Sequence, residues 1–319
     1  MRRTTVIDTH RDRDGGTIRL VASAEDLVVE LNGRRSSETN TLSLSLRADT
    51  SDIVEIEGSG HSWLADLAGR RVGAGFRRGL DDLTVPPTAA GSRLFTLLDD
   101  LPGAALVSGY ATLIDNPPAV NTRTIEYLGR QQNRCAGWAE DATIVVGITL
   151  TGGSPTPRGP LVPPRADSAG EDPSPAPLTP RWMRRARRID VSRRQIDGRA
   201  VFAVDSAFRD SHADSAGVET ALHDYTLTAV IDAAGLVIDS VEVTARVLPW
   251  QECTNAVGSA RGVLGMSVDR LRREVHGTLA GRSSCTHLND TIRVLGDVPI
   301  LVAQIPPASG PRQQTRTAR

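Results

Sequence analysis

The chain has 319 residues, long enough for two domains of roughly 100–200 residues each, and 39% of it is hydrophobic. Its 37 basic and 38 acidic side chains leave a formal net charge of -1, which offers no bulk attraction to nucleic acid or to an anionic membrane. No apolar segment of signal-peptide length opens the chain and no stretch approaches the roughly 18 apolar residues of a membrane span, so a cytoplasmic protein is the expectation.

In chain order, the sequence reads as two related halves, residues 1–150 and 181–307. Arg2–Asp8 (Arg-Arg-Thr-Thr-Val-Ile-Asp) matches Arg184–Asp190 (Arg-Arg-Ala-Arg-Arg-Ile-Asp), and an Asp-Gly turn follows each, at Asp14-Gly15 and Asp197-Gly198. Both halves then alternate apolar and polar residues in paired runs, Leu42–Ala48 with Ile53–Ile56 and Tyr225–Ile231 with Leu236–Val243. Successive side chains of a strand point to opposite faces, so this period of two marks half-buried strands, and the short breaks suit hairpins.

Each half then turns helical. Ser62–Ala68, Arg71–Leu83, Ser92–Leu101 and Ala104–Val107 are the candidates in the first, and Asn255–Leu264, Val268–Leu279, Thr286–Leu295 and Val298–Val302 in the second. In Val268–Leu279 the apolar Val268, Leu271, Val275 and Leu279 recur every three or four residues, which gives one apolar face with Arg272 and Arg273 pointing away. The pattern predicts an α+β fold of two related domains, each an antiparallel meander sheet covered by helices, derived from an internal duplication.

Between the halves, residues 151–180 are dense in Pro, Gly, Ser and Thr; such a segment cannot bury enough apolar surface to offset ordering, and it reads as a tether. Just before it, Cys135-Ala136-Gly137-Trp138 leads into Thr143–Thr151, an apolar run with the look of a strand. Residues 308–319 hold no core formers and are expected to be disordered. The lysine-free, arginine-rich composition points to bacterial coding bias.

Three cysteines are an odd count in a chain with no export signal, which predicts reduced thiols and not a disulfide framework. The most chemically pointed stretch is Gly281–Asp290, where Cys285 and His287 stand ahead of a helical run. Thr286 is the expected N-cap, with Cys285 just outside the helix and His287 on its first turn, where backbone N–H groups and the helix dipole favour a thiolate. Cys253 follows Pro249-Trp250 at a second strand-to-helix turn, and His223 opens a strand. Two thiolates and two imidazoles make a full tetrahedral set for zinc and a mixed set for an iron-sulfur cluster, so His223, Cys253, Cys285 and His287 are the expected metal ligands. The first half keeps the frame and lacks the ligands: Ser92 and Leu94 correspond to Cys285 and His287, and nothing near Asn40 replaces His223.

Other chemistries stay open beside this one. Cys285 can be a thiol nucleophile with His223 or His287 as base and Asp290 or Asp224 as orienting acid. A zinc hydrolase would use three ligands and a metal-bound water, with Asp210 as acid-base residue. Asp205, Asp210, His212 and Asp214 crowd the loop expected after the Ala200–Phe208 strand and can supply an extra ligand or base, or simply form a solvated acidic loop. A structural role is the plain alternative, since free cysteine is commonly a small buried hydrophobe and a histidine at a helix start is commonly a cap. Arg184, Arg185, Arg187 and Arg188 read as a phosphate grip or, more simply, as a solvated positive face.

Several separated motifs together resemble an uncharacterised bacterial family catalogued as domain of unknown function 2889. They are Arg184–Asp190, Phe208-Arg209-Asp210-Ser211-His212, His223-Asp224-Tyr225, Leu248-Pro249-Trp250 with Cys253, and Cys285-Thr286-His287-Leu288; Cys135–Trp138 is similar to the longer members. The family name implies no activity. The second half is also similar to iron-sulfur cluster scaffold proteins, which join a small antiparallel sheet to helices and place ligands after the sheet and at a late helix start. Cys253 and the Cys285 and His287 pair fall in comparable places. The order here is Cys-x-His instead of adjacent His-Cys, and the early ligand would be His223 and not a cysteine.

The expected function is therefore a metal-binding protein, zinc or iron-sulfur, in a carrier, accessory or catalytic role. A metal- or thiol-dependent hydrolase of a small ester, thioester or lactone is one alternative, and a non-catalytic assembly module is another. A small-molecule substrate or a protein is the expected partner.

Overall fold

The two Arg-Arg segments are strands, and they pair with each other. In the computed structural model, β1 (Arg2–Arg11) lies antiparallel to β5 (Met183–Ile196), with Arg2 opposite Asp190 and Asp8 opposite Arg184. The register sets the arginine of each segment against the aspartate of the other: Arg2 Nε is 2.6 Å from Asp190 Oδ1, and Arg184 Nε is 2.7 Å from Asp8 Oδ1. The structure describes residues 1–12, 16–29, 35–81, 92–115, 129, 131–153, 155–157, 159–162 and 175–305.

Strands β2 (Thr17–Val29), β3 (Arg35–Arg47) and β4 (Ile53–Gly58) extend the sheet from β1; β6 (Arg199–Ala213), β7 (Glu219–Asp232) and β8 (Ile238–Val247) extend it from β5. All neighbours are antiparallel, in the order β4-β3-β2-β1-β5-β6-β7-β8. The expected pair of separate meander sheets is thus one eight-stranded sheet. An unpaired strand edge is a template for unwanted pairing, and the two first strands remove that liability by closing on each other.

The helices lie over residues of alternate parity, such as Ile7, Phe208, Tyr225 and Leu227. They are α1 (Phe76–Asp81), α2 (Arg93–Val107), α3 (Gly109–Asp115), α4 (Thr143–Thr151), α5 (Val268–Thr278), α6 (Thr286–Arg293) and α7 (Val298–Ala303), with 3-10 turns at Ser62–Leu67, Ala136–Trp138, Gln251–Val263, Gly281–Ser283 and Val294–Asp297. One core lies under α2, around Leu20, Leu44, Leu97 and Leu101; a second lies under α5 and α6, around Tyr225, Leu227, Leu271, Leu288 and Ile292. Helix α5 follows its periodicity, with Val268, Leu271 and Val275 buried. Arg272 departs from it by reaching inward to Asp99 and Asp297.

Three further expectations are corrected. Thr143–Thr151 is helix α4 and not a strand: Ile144, Val145 and Ile148 are buried on a helical spacing, and Gly152, at φ 66, ends the helix in the left-handed conformation that glycine adopts without strain. Asp210 and His212 lie inside β6 and not in a loop after it. The arginine run is neither a solvated face nor an anion grip, because it forms β5 and its side chains are ion-paired within the fold. Part of the expected tether also packs on the sheet. Leu161 bridges to Thr220, Val162 donates to the Glu219 carbonyl at 3.0 Å, and the Pro160 carbonyl accepts from Ala221 at 2.9 Å. The turn at Asp14-Gly15, residues 82–83, residues 163–174 and the tail lie outside the described residues. Among the described residues, no helix is long and apolar enough to cross a membrane.

Ser92 caps α2 by accepting from Phe95 N–H at 3.2 Å, and the helix runs unbroken through Pro102-Gly103, which the sequence marks as a boundary. Gly103 is there because α2 crosses over Arg185: a Cβ added at this glycine would stand 1.8 Å from Arg185 Nη1. Gly103→Ala is expected to destabilise the fold by at least about 1–3 kcal/mol in urea unfolding. Gly277→Ala, in α5 where an added Cβ meets nothing within 4 Å, should be neutral or should stabilise by up to about 1 kcal/mol. Equal stabilities of the two variants would contradict this account.

Candidate metal centre

One cross-strand row brings Arg185, Asp210 and His223 side by side on the face covered by helices, since Arg185 pairs with Asp210 and Asp210 with His223. A register shift follows at once between Asp210 and Ser211, leaving Leu222 without a partner in the ladder. Such bulges re-aim neighbouring side chains and recur beside functional sites. His287 reaches the same row from above, on the first turn of α6. The cap of that helix is Cys285, one residue before the expected Thr286, and Cys285 has extended backbone.

Asp210 is the meeting point. His223 Nδ1 is 3.3 Å and His287 Nε2 is 3.7 Å from Asp210 Oδ2, and the two imidazoles stack with centroids 3.5 Å apart and planes 19° apart. Both nitrogens are buried, and among the described residues neither has a hydrogen-bond partner. The ligand atoms of Asp210, His223 and His287 all lie within 4.8 Å of one another. Around a tetrahedral zinc with Zn–N near 2.0 Å, ligand atoms are about 3.3 Å apart, so the three atoms are near enough to share one ion. Because a metal lies in the plane of each imidazole it binds, the stacked rings would have to turn out of their near-parallel arrangement to hold it.

Arg185 donates to both oxygens of Asp210, at 2.9 Å from Nε and 3.1 Å from Nη2, and Nη1 reaches Asp290 Oδ2 at 2.8 Å. Burial alone would raise the Asp210 carboxyl, but the Arg185 charge outweighs it and holds the group well below the usual carboxylate range. Burial, with His223 beside it, pushes His287 well below the usual histidine value, so its imidazole is neutral, the form that binds metals.

Of the four residues expected as ligands, the structure joins His223 and His287 around Asp210. Cys285 stands beside them, its Sγ 3.9 Å from His287 Nδ1 and 3.7 Å from the Tyr225 hydroxyl. Cys253 lies in an apolar cluster with Ile144, Val145, Ile148 and Trp250, packed on Gly137 so closely that a Cβ there would be 2.5 Å from its sulfur. Burial raises all three thiols, Cys135 to about 11. Asp224 and Asp290, the expected orienting acids, are bound to Arg209 and to Arg185 and Arg77. Sequence reading missed Arg185 as a site residue. The available signal was parity, for Arg185 and Arg187 alternate in step with the apolar Ile189 and Val191.

The first half has the same row with different ends. Arg3 pairs with Asp26, at 2.6 Å between Nε and Oδ1, and Asp26 lies opposite Glu38, which takes the place of His223. Arg93, the first residue of α2, donates to Asp26 Oδ2 at 3.2 Å, Glu38 Oε2 at 2.7 Å and Asn40 Oδ1 at 2.9 Å. A guanidinium cation thus covers the carboxylate in one half, and two imidazoles face it in the other.

Residues 183–301 match the family model described as a protein of unknown function (DUF2889). That span contains β5 to β8 and every side chain of the candidate centre. No curated protein and no solved structure matches the chain.

The buried charges make stability depend on pH in two windows. The unfolded chain protonates His287 near 6.5 and the folded chain does not, so stability falls as pH drops through 6.5, by at most about 1.4 kcal/mol per pH unit for one proton. Asp99 titrates at about 2 in the fold against 3.8 unfolded; burial opposes this, and Arg272, Arg293 and Arg77 enforce it. Its contribution is complete above about pH 4 and drains away toward pH 2. Burial also lowers His212 and His276, so thermal melts of the metal-free protein should show both declines, with His287→Asn reducing the first without abolishing it and leaving the second unchanged.

Proposed function

We propose that the protein binds one divalent transition-metal ion, zinc in the first instance, through Asp210, His223 and His287. The observation that carries this reading is the convergence of two buried ring nitrogens on one carboxylate oxygen, at 3.3 and 3.7 Å, with neither in good hydrogen-bond geometry. Unsatisfied polar atoms in an interior are costly, and an ion coordinated by all three groups would satisfy them together. The first half supports it as an internal comparison. Read as the product of a duplication, one copy covers its aspartate with Arg93, and the other replaces that fixed cation with donors for an exchangeable one.

Three protein ligands leave a coordination position open, which favours catalysis over a closed structural or carrier site. A cation held there would supply Lewis acidity and lower the pKa of bound water, which suits hydrolysis of a small ester, thioester or lactone. Asp210, held ionised by Arg185, serves as ligand and not as proton carrier. The nitrogen and oxygen donors favour a mononuclear ion over an iron-sulfur cluster. A thiol enzyme is the second reading, favoured by the continuous order Cys285, His287, Asp210. It asks for a thiolate, whereas Cys285 is 2% exposed and its burial favours the neutral thiol.

Anaerobically purified protein is expected to carry about one zinc or iron per chain by elemental analysis. Asp210→Asn, His223→Ala and His287→Ala should each weaken binding by more than the roughly 10–100-fold that loss of an outer-shell partner causes, while Cys253→Ser should leave the stoichiometry unchanged. Metal content insensitive to all three substitutions would sink the proposal. Rapid, selective alkylation of Cys285 at neutral pH in metal-free protein would favour the thiol reading instead.

A further inference from the structure

His287 presents its two ring nitrogens to different neighbours. Nε2 faces Asp210 Oδ2 at 3.7 Å, and Nδ1 faces Cys285 Sγ at 3.9 Å. An ion taken by Nε2 and the sulfur beside Nδ1 therefore lie on opposite sides of one imidazole. A neutral imidazole carries a proton on one nitrogen and a lone pair on the other, and whichever group engages one nitrogen fixes the chemistry of the second.

We infer that Cys285 is a positioning residue and not a ligand: its sulfur accepts the Nδ1–H of His287 and so sets the tautomer whose Nε2 lone pair faces the ion. The inference rests on the metal reading above and gives Cys285 a different role from the one its spacing suggests. Three observations support it. Cys285 is 2% exposed, so water has little access to serve as the acceptor in its place. As the N-cap of α6 it is fixed by the backbone two residues before the histidine it serves. The Tyr225 hydroxyl, 3.7 Å from the sulfur, holds the thiol from the sheet side. Metal-bound histidines generally give their second nitrogen to such an outer partner, most often a carboxylate or a carbonyl; here sulfur takes that place.

Cobalt(II) tests the inference directly, because thiolate bound to cobalt gives an intense near-ultraviolet charge-transfer band, and nitrogen and oxygen ligands give only weak visible bands. The wild-type protein loaded with cobalt should show the visible bands alone. Cys285→Ala should lower cobalt affinity by about 10–100-fold, and Cys285→Ser, whose hydroxyl accepts the same N–H, should restore most of the loss. Far-ultraviolet circular dichroism checks that both variants fold. A sulfur-to-cobalt band in the wild type that vanishes in Cys285→Ala would make Cys285 a ligand and overturn the inference. So would an unchanged affinity in Cys285→Ala, or equal losses in the Ala and Ser variants. Failure of the wild type to take up cobalt or zinc overturns the metal reading itself, and this inference with it.

Discussion

The Arg185 guanidinium is the contact on which the geometry of the candidate centre depends. It is fully buried, and its three nitrogens are divided between Asp210 on the sheet and Asp290 on α6. Taking an ion out of water costs several kcal/mol unless partners surround it, so Asp210 cannot turn away without stranding a buried cation. Nor can α6 slide along the sheet, because Asp290 and His287 travel with it. One cation therefore fixes the distance between a carboxylate contributed by a strand and an imidazole contributed by a helix.

The same device recurs through the helical layer. Asp99 and Asp100 of α2 meet Arg272 and Arg293 from the second half and Arg187 from β5, while Arg77 of the first half meets Asp290. Buried ion pairs are poor sources of net stability compared with well-packed apolar groups, yet breaking one partner from a pair costs about 3–5 kcal/mol. Their effect here is to reject alternative arrangements. Leucine on leucine would tolerate a helix shifted by a turn, whereas a shift here would break several charge pairs at once, since Asp99 is shared by Arg77, Arg272 and Arg293. Gly103 belongs to the same constraint, since it lets α2 come close enough to Arg185 for Asp100 to reach Arg187.

Much of the secondary structure was legible because it follows from local repetition. The period of two in Leu42–Ala48 and Tyr225–Ile231 and the three-to-four spacing in Val268–Leu279 each reflect a face turned toward apolar neighbours. Thr143–Thr151 misled because its polar residues are all threonines, β-branched like its Ile and Val and too few to reveal a period, and only Gly152-Gly153 marks a helix end. The union of two meanders into one sheet was hidden for a different reason: alternation says which way a side chain points, not which edge its strand meets. At the candidate centre the histidines were visible as unusual donors. Their true companion was not, because an aspartate looks alike on a solvated loop and at the middle of a buried row. Choosing between those depended on strand β6 continuing past Phe208 to Ala213.

The two halves differ in what answers the buried carboxylate. Arg93 offers N–H donors, and Asp26, Glu38 and Asn40 offer oxygens that accept them, so that assembly is complete within the chain. In the other half His287 and His223 each direct a ring nitrogen at a carboxylate oxygen, a place where lone pairs can be in excess over protons. A proton is the simplest cation that answers such an excess, but it would place a full charge on an imidazole that is buried and stacked 3.5 Å from a second one. The preference of His287 for its neutral form is the consequence. On the proposed reading the centre is answered by a cation that accepts several lone pairs at once and brings enough charge to offset its own desolvation, a property of the divalent transition metals.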